Sequence, residues 1–226
     1  MANSRFAAIL QILLLASPWS LRRRLLRRIF GYNISASARI GLSLVLSERF
    51  VMDEHASIGH FTYVKGLTGL ELGRFARIGN LNWISGNAGS EIDFFADETD
   101  RQCLLAIEEH AALTNRHYID CTNVVRIGAF STVAGVRSQI LTHGIDIRQS
   151  KQTSASISIG RYCFVGSGVI VLKGASLPDY CVLGAGSILR TKEIAQYTLY
   201  SGVPAVAVRV LDGGSLYFHR TEGFIH

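Results

Sequence analysis

The chain has 226 residues, of which 48% are hydrophobic and 18% charged, so it has ample apolar material for a long core. Its formal net charge of +6 comes almost entirely from five arginines between residues 22 and 28, which leaves about +1 for the rest of the chain. This distribution argues against a nucleic-acid-binding surface. With only 3 prolines and no low-complexity stretch, no disordered linker is predicted.

Residues 1–33 are predicted to form a helical segment. The apolar residues 6–16 are too few to span a bilayer, and Arg5 alone before them does not make a secretory signal. Residues 21–30 indicate a helix with aliphatic residues on one face and arginines on the other. Two roles stay open for this segment: a cap on the following domain, or contact with an anionic membrane surface through residues 6–30. The two roles are compatible.

From residue 34 onward, aliphatic side chains recur at intervals of six residues. The clearest run consists of Ile159, Val165, Val171, Leu177, Leu183 and Leu189. A helix would need a period of 3.6 and a single strand a period of two. A period of six describes a short strand, a corner and another short strand, so that three strands make one coil and residues 18 apart stack. The sequence therefore predicts an all-β solenoid over residues 34–203.

Two stretches without the period interrupt the solenoid, one near residues 91–102 and one near residues 144–156. The first is acidic and contains aromatic residues, whereas the second is polar. We expect both to be loops that leave a rigid scaffold, which is where binding and catalytic residues tend to lie. A tail over residues 204–226 is predicted to cover either a coil or a neighbouring subunit.

The four cysteines form two pairs with a spacing of 18 residues, the length of one coil. They are Cys103, Cys121, Cys163 and Cys181. Stacked strands would bring each pair close enough for a disulfide. Without a convincing export signal, we instead expect reduced thiols that fill small inward positions.

Residues 159–209 resemble the C-terminal half of the hexapeptide-repeat acyltransferases, a family that includes sugar O-acetyltransferases and serine acetyltransferase. The most specific pieces are GAGS at Gly184–Ser187 and GVPA at Gly202–Ala205, and the N-terminal SLRRRLLRRIFGYNIS resembles the lead-in of polysaccharide-linked members. The resemblance implies a left-handed parallel β-helix, a homotrimer, and acetyl-CoA bound between subunits. The relatives also favour a sugar hydroxyl of a surface polysaccharide or of its lipid-linked precursor as the acceptor. With no convincing export signal, we expect a cytoplasmic protein, and membrane contact through residues 6–30 would lie at the inner face of the cytoplasmic membrane.

Acyl transfer to a hydroxyl needs a general base, and histidine suits this role because its pKa lies near neutrality. His143, in LTHGID, directly precedes the second interruption and resembles the catalytic histidine of sugar O-acetyltransferases. We predict His143 as the base, with a structural histidine at the root of the loop as the alternative. Asp146 is a candidate to orient its imidazole, although an aspartate three residues away is also typical of a turn.

The resemblance also indicates which residues would line the acetyl-CoA site. The matching positions are Ser167, Ala185, Gly186 and Arg209. Where the family often continues GAGSxVTKD, this chain reads GAGSILRTKE. The basic position is therefore displaced, and both Arg190 and Lys192 are candidates for the CoA phosphate.

The acceptor site is the least determined part of the sequence. His117 and Trp83 are candidates for contact with the acceptor. The alternative for His117 is a structural histidine that is hydrogen-bonded on a face of the solenoid, and the alternative for Trp83 is an exposed corner residue without a role in binding. Asp93, Asp97 and Asp100 in the first interruption are weaker candidates.

His55 and His60 resemble part of the zinc site of γ-class carbonic anhydrases, but the required third histidine is missing, so no metal is expected. Two other functions stay open. One is N-acetylation of an amino sugar or of a serine-type acceptor. The other is a non-catalytic hexapeptide scaffold.

Overall fold

The structure is a computed structural model of the chain, and it describes residues 4–88, 94–95 and 97–225. Residues 89–93 and 96, which include Asp93 of the first interruption, lie outside these ranges. Two helices come first, α1 (Ser4–Leu14) and α2 (Trp19–Phe30), and α2 ends at Gly31 in the left-handed conformation. A short 3₁₀ helix, Leu216–His219, lies in the tail.

The strands before the first interruption are β1 (Asn33–Ile34), β2 (Arg39–Ile40), β3 (Leu44–Met52), β4 (Ser57–Ile58), β5 (Tyr63–Leu72), β6 (Arg77–Ile78) and β7 (Trp83–Ser85). Those between it and the second are β8 (Leu104–Ile107), β9 (Ala112–Leu113), β10 (Tyr118–Asp120), β11 (Val125–Ile127), β12 (Thr132–Val133) and β13 (Gln139–Leu141). The remaining strands are β14 (His143–Asp146), β15 (Lys151–Ser154), β16 (Ile157–Ile159), β17 (Phe164–Val165), β18 (Ile170–Leu172), β19 (Ser176–Leu177), β20 (Val182–Leu183), β21 (Ile188–Leu189), β22 (Thr198–Gly202) and β23 (Ala205–Val210).

These strands wind into three parallel faces. Face 1 is the nine-stranded sheet β2-β4-β6-β9-β12-β17-β20-β22-β23, and only its last pair, β22–β23, is antiparallel. Face 2 comprises β7, β10, β13, β18 and β21, whereas face 3 comprises β1, β8, β11, β16 and β19. The long strands β3 and β5 bend across the corner between faces 2 and 3, because their first halves pair on face 2 and their second halves on face 3. The predicted all-β solenoid of hexapeptide repeats is confirmed.

The six-residue anchors point into the solenoid and form its core. In the clear run from Ile159 to Leu189, no anchor is more than 2% exposed. Val165 pairs with Leu183, 18 residues later, as the coil length predicts. All four cysteines are free and buried, and burial raises the pKa of the Cys163 thiol to about 12.

The two interruptions lengthen their coils without breaking the stacking. On face 1, Arg77 pairs with Ala112 and Thr132 pairs with Phe164, although uninterrupted neighbours such as Val165 and Leu183 are 18 residues apart. The second interruption is an antiparallel hairpin of β14 and β15 rather than an irregular loop. The extra residues therefore project from the corner between faces 2 and 3.

The two helices cover the first coil of the solenoid. Gln11 exchanges two hydrogen bonds with the backbone of Val45, and Leu14 and Leu26 join the core. The expected separation of leucines from arginines is only partly correct. Arg22 is buried and donates to the carbonyl oxygens of Gly41 and Ser43. Its guanidinium group therefore supplies hydrogen bonds to backbone groups of the first coil. Neither helix is long and apolar enough to cross a membrane, and the described residues contain no other helix that is.

A ladder of stacked rings runs along the corner between faces 3 and 1. Its members are His55, Phe75, His110, Phe130, Tyr162, Tyr180 and Tyr197, with consecutive ring centroids 4.7–5.6 Å apart. The tail lies over this ladder: Phe218 packs edge-on against Tyr180, and the backbone N–H of Gly223 donates to Nδ1 of His110 at 3.1 Å. The tail was predicted to cover either a coil or a neighbouring subunit, and in this chain it covers coils of its own solenoid.

Candidate active site

His143 is the first residue of the hairpin, and its ring lies against a buried carboxylate. Nδ1 of His143 donates to Oδ2 of Asp120 at 2.7 Å, and the backbone N–H of His143 donates to the same oxygen at 3.1 Å. The Asp120 side chain is only 4% exposed, whereas that of His143 is 41% exposed. With Nδ1 held as the donor, a neutral ring has its free lone pair on Nε2.

Asp120 is placed by the solenoid and held by further hydrogen bonds. It ends β10 on face 2 and pairs there with Leu141 of β13, which puts it one coil away from His143. Oδ1 accepts from the hydroxyl of Thr122 at 2.7 Å, and Oδ2 accepts from the backbone N–H and the hydroxyl of Thr142, both at 2.8 Å. A buried carboxylate with this many donors is stabilised in its charged form.

The contact between Asp120 and His143 shifts their pKa values in opposite directions from the usual ones. Burial alone would raise the pKa of Asp120, but hydrogen bonds from His143, Thr122 and Thr142 outweigh it and hold the pKa below its usual value. The hydrogen bond to Asp120 raises the pKa of His143, against the smaller opposing effects of burial and of the Lys173 charge. The arrangement therefore favours a negative aspartate beside a histidine that is more basic than usual.

Asp146, which the sequence made the candidate to orient His143, does not contact it. Its carboxylate accepts from the backbone N–H groups of Arg148 and Gln149, at 2.9 and 3.2 Å, so it shapes the turn of the hairpin. Asp146 pairs with Lys151 at the far end of the hairpin, whereas His143 pairs with Ser154 at the near end. The strand conformation points the two side chains apart, and the carboxylate that contacts the ring is that of Asp120.

The first interruption forms a wall beside His143. Phe95 is buried and meets the His143 ring edge-to-face, with centroids 6.2 Å apart. The Glu98 carboxylate accepts from the backbone N–H of Ser154 at 2.7 Å and from its hydroxyl, and Asp97 pairs with Lys151. The two interruptions are therefore joined to one another around the histidine.

Three of the residues predicted to bind acetyl-CoA lie at the same corner of the solenoid. Ser167, Ala185 and Gly186 lie at the corner between faces 1 and 2 in successive coils, and the N–H of Gly186 donates to the carbonyl oxygen of Ser167 at 2.9 Å. Gly168 and Gly186 have φ values of +66° and +70°, and a Cβ at either would meet nothing within 4 Å. This corner therefore has open space along its outer side, bounded by backbone and small side chains.

The predicted cationic residues do not gather at that corner. Arg190 follows β21 at the corner between faces 2 and 3, two coils beyond His143, and Lys192 bridges to Ser176 at the start of face 3. Arg209 lies on β23, opposite Leu199 on face 1. All three are exposed, and within one chain they are spread over different faces.

The two candidate acceptor residues have different surroundings. His117 is 2% exposed, with Nδ1 accepting from the backbone N–H of Ser138 at 3.1 Å and Nε2 3.0 Å from the hydroxyl of Thr114. Burial lowers the pKa of His117 to about 4, so it is a neutral structural histidine without a ring nitrogen free for an acceptor.

Trp83 is 44% exposed on face 2, where it pairs with Tyr118 of β10. Its ring packs edge-on against Tyr63 at 5.1 Å, and the Lys65 ammonium lies 5.3 Å from the ring centroid. Trp83 is therefore on the same face as Asp120 and one coil below it.

Sequence reasoning missed Asp120, Phe95 and Glu98. Asp120 could have been found from the coil register, which stacks β10 on β13 and so puts position 120 beside the root of the second interruption. No three metal-ligating side chains cluster in the part of the chain that the structure describes.

No family model matches the chain. Over 72 residues it is 31% identical to the galactoside O-acetyltransferase of Escherichia coli K12, a stretch that covers 32% of this chain. The chain therefore spans about a third, 35%, of that relative's length.

The fold has solved counterparts. The polysialic acid O-acetyltransferase OatWY superposes with a TM-score of 0.59 at 18% identity, covering 84% of this chain and 90% of that one. Our chain has the fold of a hexapeptide-repeat acyltransferase. A mutant of AntD, an N-acyltransferase from Bacillus cereus in complex with dTDP-4-amino-4,6-dideoxyglucose and Coenzyme A, superposes with a TM-score of 0.51 at 13% identity, covering 77% and 83% of the two chains.

Proposed function

We propose that this solenoid is an acetyl-CoA-dependent O-acetyltransferase that acts on a sugar hydroxyl, with His143 as general base and Asp120 as its orienting carboxylate. The observation that carries the proposal is the 2.7 Å hydrogen bond from Nδ1 of His143 to buried Asp120, which leaves Nε2 of a half-exposed ring free. The similarities to a galactoside O-acetyltransferase and to the fold of OatWY support it.

His143 has the two properties that this chemistry requires. Nε2 can take the proton of an acceptor hydroxyl as the oxygen attacks the thioester carbonyl, and the charge of Asp120 stabilises the imidazolium that forms. As the C–S bond breaks, Nε2 can give the proton to the departing sulfur, which leaves as the free thiol. The four cysteines are buried, so none is placed to act as a nucleophile, and we propose that the acetyl group passes directly to the acceptor. When bound, acetyl-CoA supplies an acetyl group activated as a thioester.

The corner formed by Ser167, Ala185 and Gly186 fits the pantetheine arm, because it offers backbone groups and open space beside two glycines without side chains. Arg190, Lys192 and Arg209 are the candidates for the CoA phosphates. This corner and His143 lie at opposite ends of face 2, so a neighbouring copy would bring one chain's corner to another chain's histidine. We therefore propose a homotrimer, as the family resemblance implies, whose native mass light scattering would test.

We propose face 2 beside Asp120 as the acceptor surface, with the exposed ring of Trp83 stacking on a sugar. Trp83→Ala should then raise KM for the acceptor and leave KM for acetyl-CoA unchanged. Because acetyl-CoA is made and used inside cells, we place the reaction in the cytoplasm.

The decisive experiment measures thiol release from acetyl-CoA with a panel of galactosides, polysialic acid, amino sugars and serine. Release with a galactoside or with polysialic acid that disappears in His143→Ala supports the proposal. Release only with amino sugars or serine would instead make the chain an N-acetyltransferase or a serine acetyltransferase. The absence of acetyl-CoA binding in calorimetry would make it a non-catalytic scaffold.

A further inference from the structure

Helix α1 has two unlike faces. Its inner face carries Gln11 and Leu14, which are buried against the first coil. Its outer face carries four large apolar side chains that are each more than half exposed: Phe6, Ile9, Ile12 and Leu13. A contiguous apolar row of this kind on a surface marks an interaction site.

Helix α2 forms one side of a strongly basic concavity. It has a volume of about 500 Å³ and is lined by Arg23, Arg24, Arg27, Arg28, Tyr32 and Asn33. No acidic residue lines it, and among the described residues none of the four arginines takes part in an ion pair. Unpaired guanidinium groups around one hollow favour phosphate-bearing anions.

Both helices pack on the first coil of the solenoid. Gln11 of α1 binds the backbone of Val45, and Arg22 of α2 binds the carbonyl oxygen of Ser43, so their inner faces meet the same stretch of the first coil. Leu21 and Ile29 of α2 are also exposed. The apolar row and the arginine concavity therefore both belong to the helical segment that covers the first coil, and the concavity opens between α2 and the start of β1, where Arg23 donates to the carbonyl oxygen of Ile34.

We propose that the outer surface of α1 and α2 docks on an anionic membrane. The arginines contact lipid phosphates, and the row from Phe6 to Leu13 enters the boundary between headgroups and acyl chains, as interfacial amphipathic helices do. Charge complementarity favours lipid over a second copy of this chain, because two copies meeting here would bring eight unpaired arginines together. The proposal is independent of the reaction at His143.

The test is co-sedimentation of the full chain with vesicles of phosphatidylcholine containing about 30% phosphatidylglycerol, and with pure phosphatidylcholine vesicles. We expect strong binding to the first and weak binding to the second, with the difference shrinking as salt rises from about 0.1 to about 0.5 M. Equal binding to both vesicles, or none to either, would overturn the proposal.

Two variants separate the contributions. R24Q/R27Q/R28Q should weaken binding to the anionic vesicles by roughly 100-fold, at about fivefold for each arginine. The matched control R126Q/R137Q/R161Q removes three exposed arginines from the solenoid and should bind nearly as the parent does. Similar losses in the two triple variants would contradict a site on the helices.

F6Q/I9Q/I12Q should reduce binding by roughly tenfold or more while the circular dichroism spectrum and the unfolding temperature stay unchanged, since all three residues are exposed. If this variant instead lowered the native mass in light scattering and left vesicle binding intact, the row would be a contact between copies and the proposal would fail.

Discussion

The coils from Ile159 to Leu189 and the coils from Leu104 to Ser154 are built on the same three faces, yet they do different things. In the first region every strand repeats after 18 residues, and the anchors are almost completely buried. In the second the coils are longer, and they hold the Asp120–His143 pair and the joined interruptions. The regular coils form a rigid scaffold, whereas the longer, interrupted coils bring titratable side chains into contact.

The difference has a physical cause. In a regular coil the backbone of each strand pairs with the coils on either side, so only the identity of the outward side chains can vary without disturbing the stack. An interruption adds residues whose backbone pairs elsewhere, as β14 does with β15, and this puts a histidine over a carboxylate of the coil below. Changes in the two regions should therefore have separable consequences, one for rate and the other for stability.

The largest expected effect is on rate. His143→Ala should lower kcat by about 10²–10⁴-fold, the usual contribution of a general base, because no other ring takes its place above Asp120. Steady-state kinetics measures the loss, and calorimetry should show acetyl-CoA binding nearly unchanged. His55→Ala is the control, since His55 is exposed at the far end of the ladder. Equal losses in both variants would contradict the assignment.

The regular coils should show the opposite behaviour. Leu183 is completely buried, so Leu183→Ala should lower the free energy of unfolding by about 2–5 kcal/mol. The activity of the protein that remains folded should change little. Denaturant unfolding with activity measured on the same samples checks this. Ile194→Ala, at a position 90% exposed, should cost almost nothing.

Asp120→Asn should change the pH dependence of the reaction. Asp120 raises the pKa of His143, so a neutral amide should let that pKa fall, and the rise of kcat/KM with pH should move to lower pH. The rate on the plateau should also drop, on the order of 10²-fold, because the imidazolium loses its partner. A profile with an unmoved midpoint would show that Asp120 has no electrostatic effect on the base.

The smallest expected effect concerns the bonds between the interruptions. Glu98→Gln weakens two charge-assisted hydrogen bonds to Ser154, which should cost about 1 kcal/mol and lower kcat several-fold by loosening the hairpin. Faster amide exchange over residues 143–154 would report the loosening. Asp97→Asn removes only an exposed pair with Lys151 and should change both readouts much less.

Much of the fold was predictable because one constraint repeats in the sequence. Each anchor such as Val165 must face the core and stack on another, and this leaves a signal with a period of six. The burial of Arg22 left no such signal, because it depends on where the first coil places the carbonyl oxygens of Gly41 and Ser43.

The surroundings of His143 were predictable only in part. His143 could be chosen from its place beside an interruption, but its partner could not be chosen by nearness in the sequence. Asp146 is three residues away and lies in the turn of a hairpin, whereas Asp120 is 23 residues away and in contact. Which carboxylate meets the ring depends on the number of residues that the interrupted coil absorbs, and composition does not encode that number.

The tail that lies over the ring ladder has a consequence for how the molecule comes apart. Solenoids usually lose their terminal coils first, because a terminal coil has a neighbour on one side only. Here Phe218 packs on Tyr180 and Gly223 bonds to His110, so the last coils are fastened to the middle of the molecule by residues 113 apart in sequence. Fraying at the C-terminal end must first release these tail contacts, which couples the loosening of the last coils to the coil that carries Asp120.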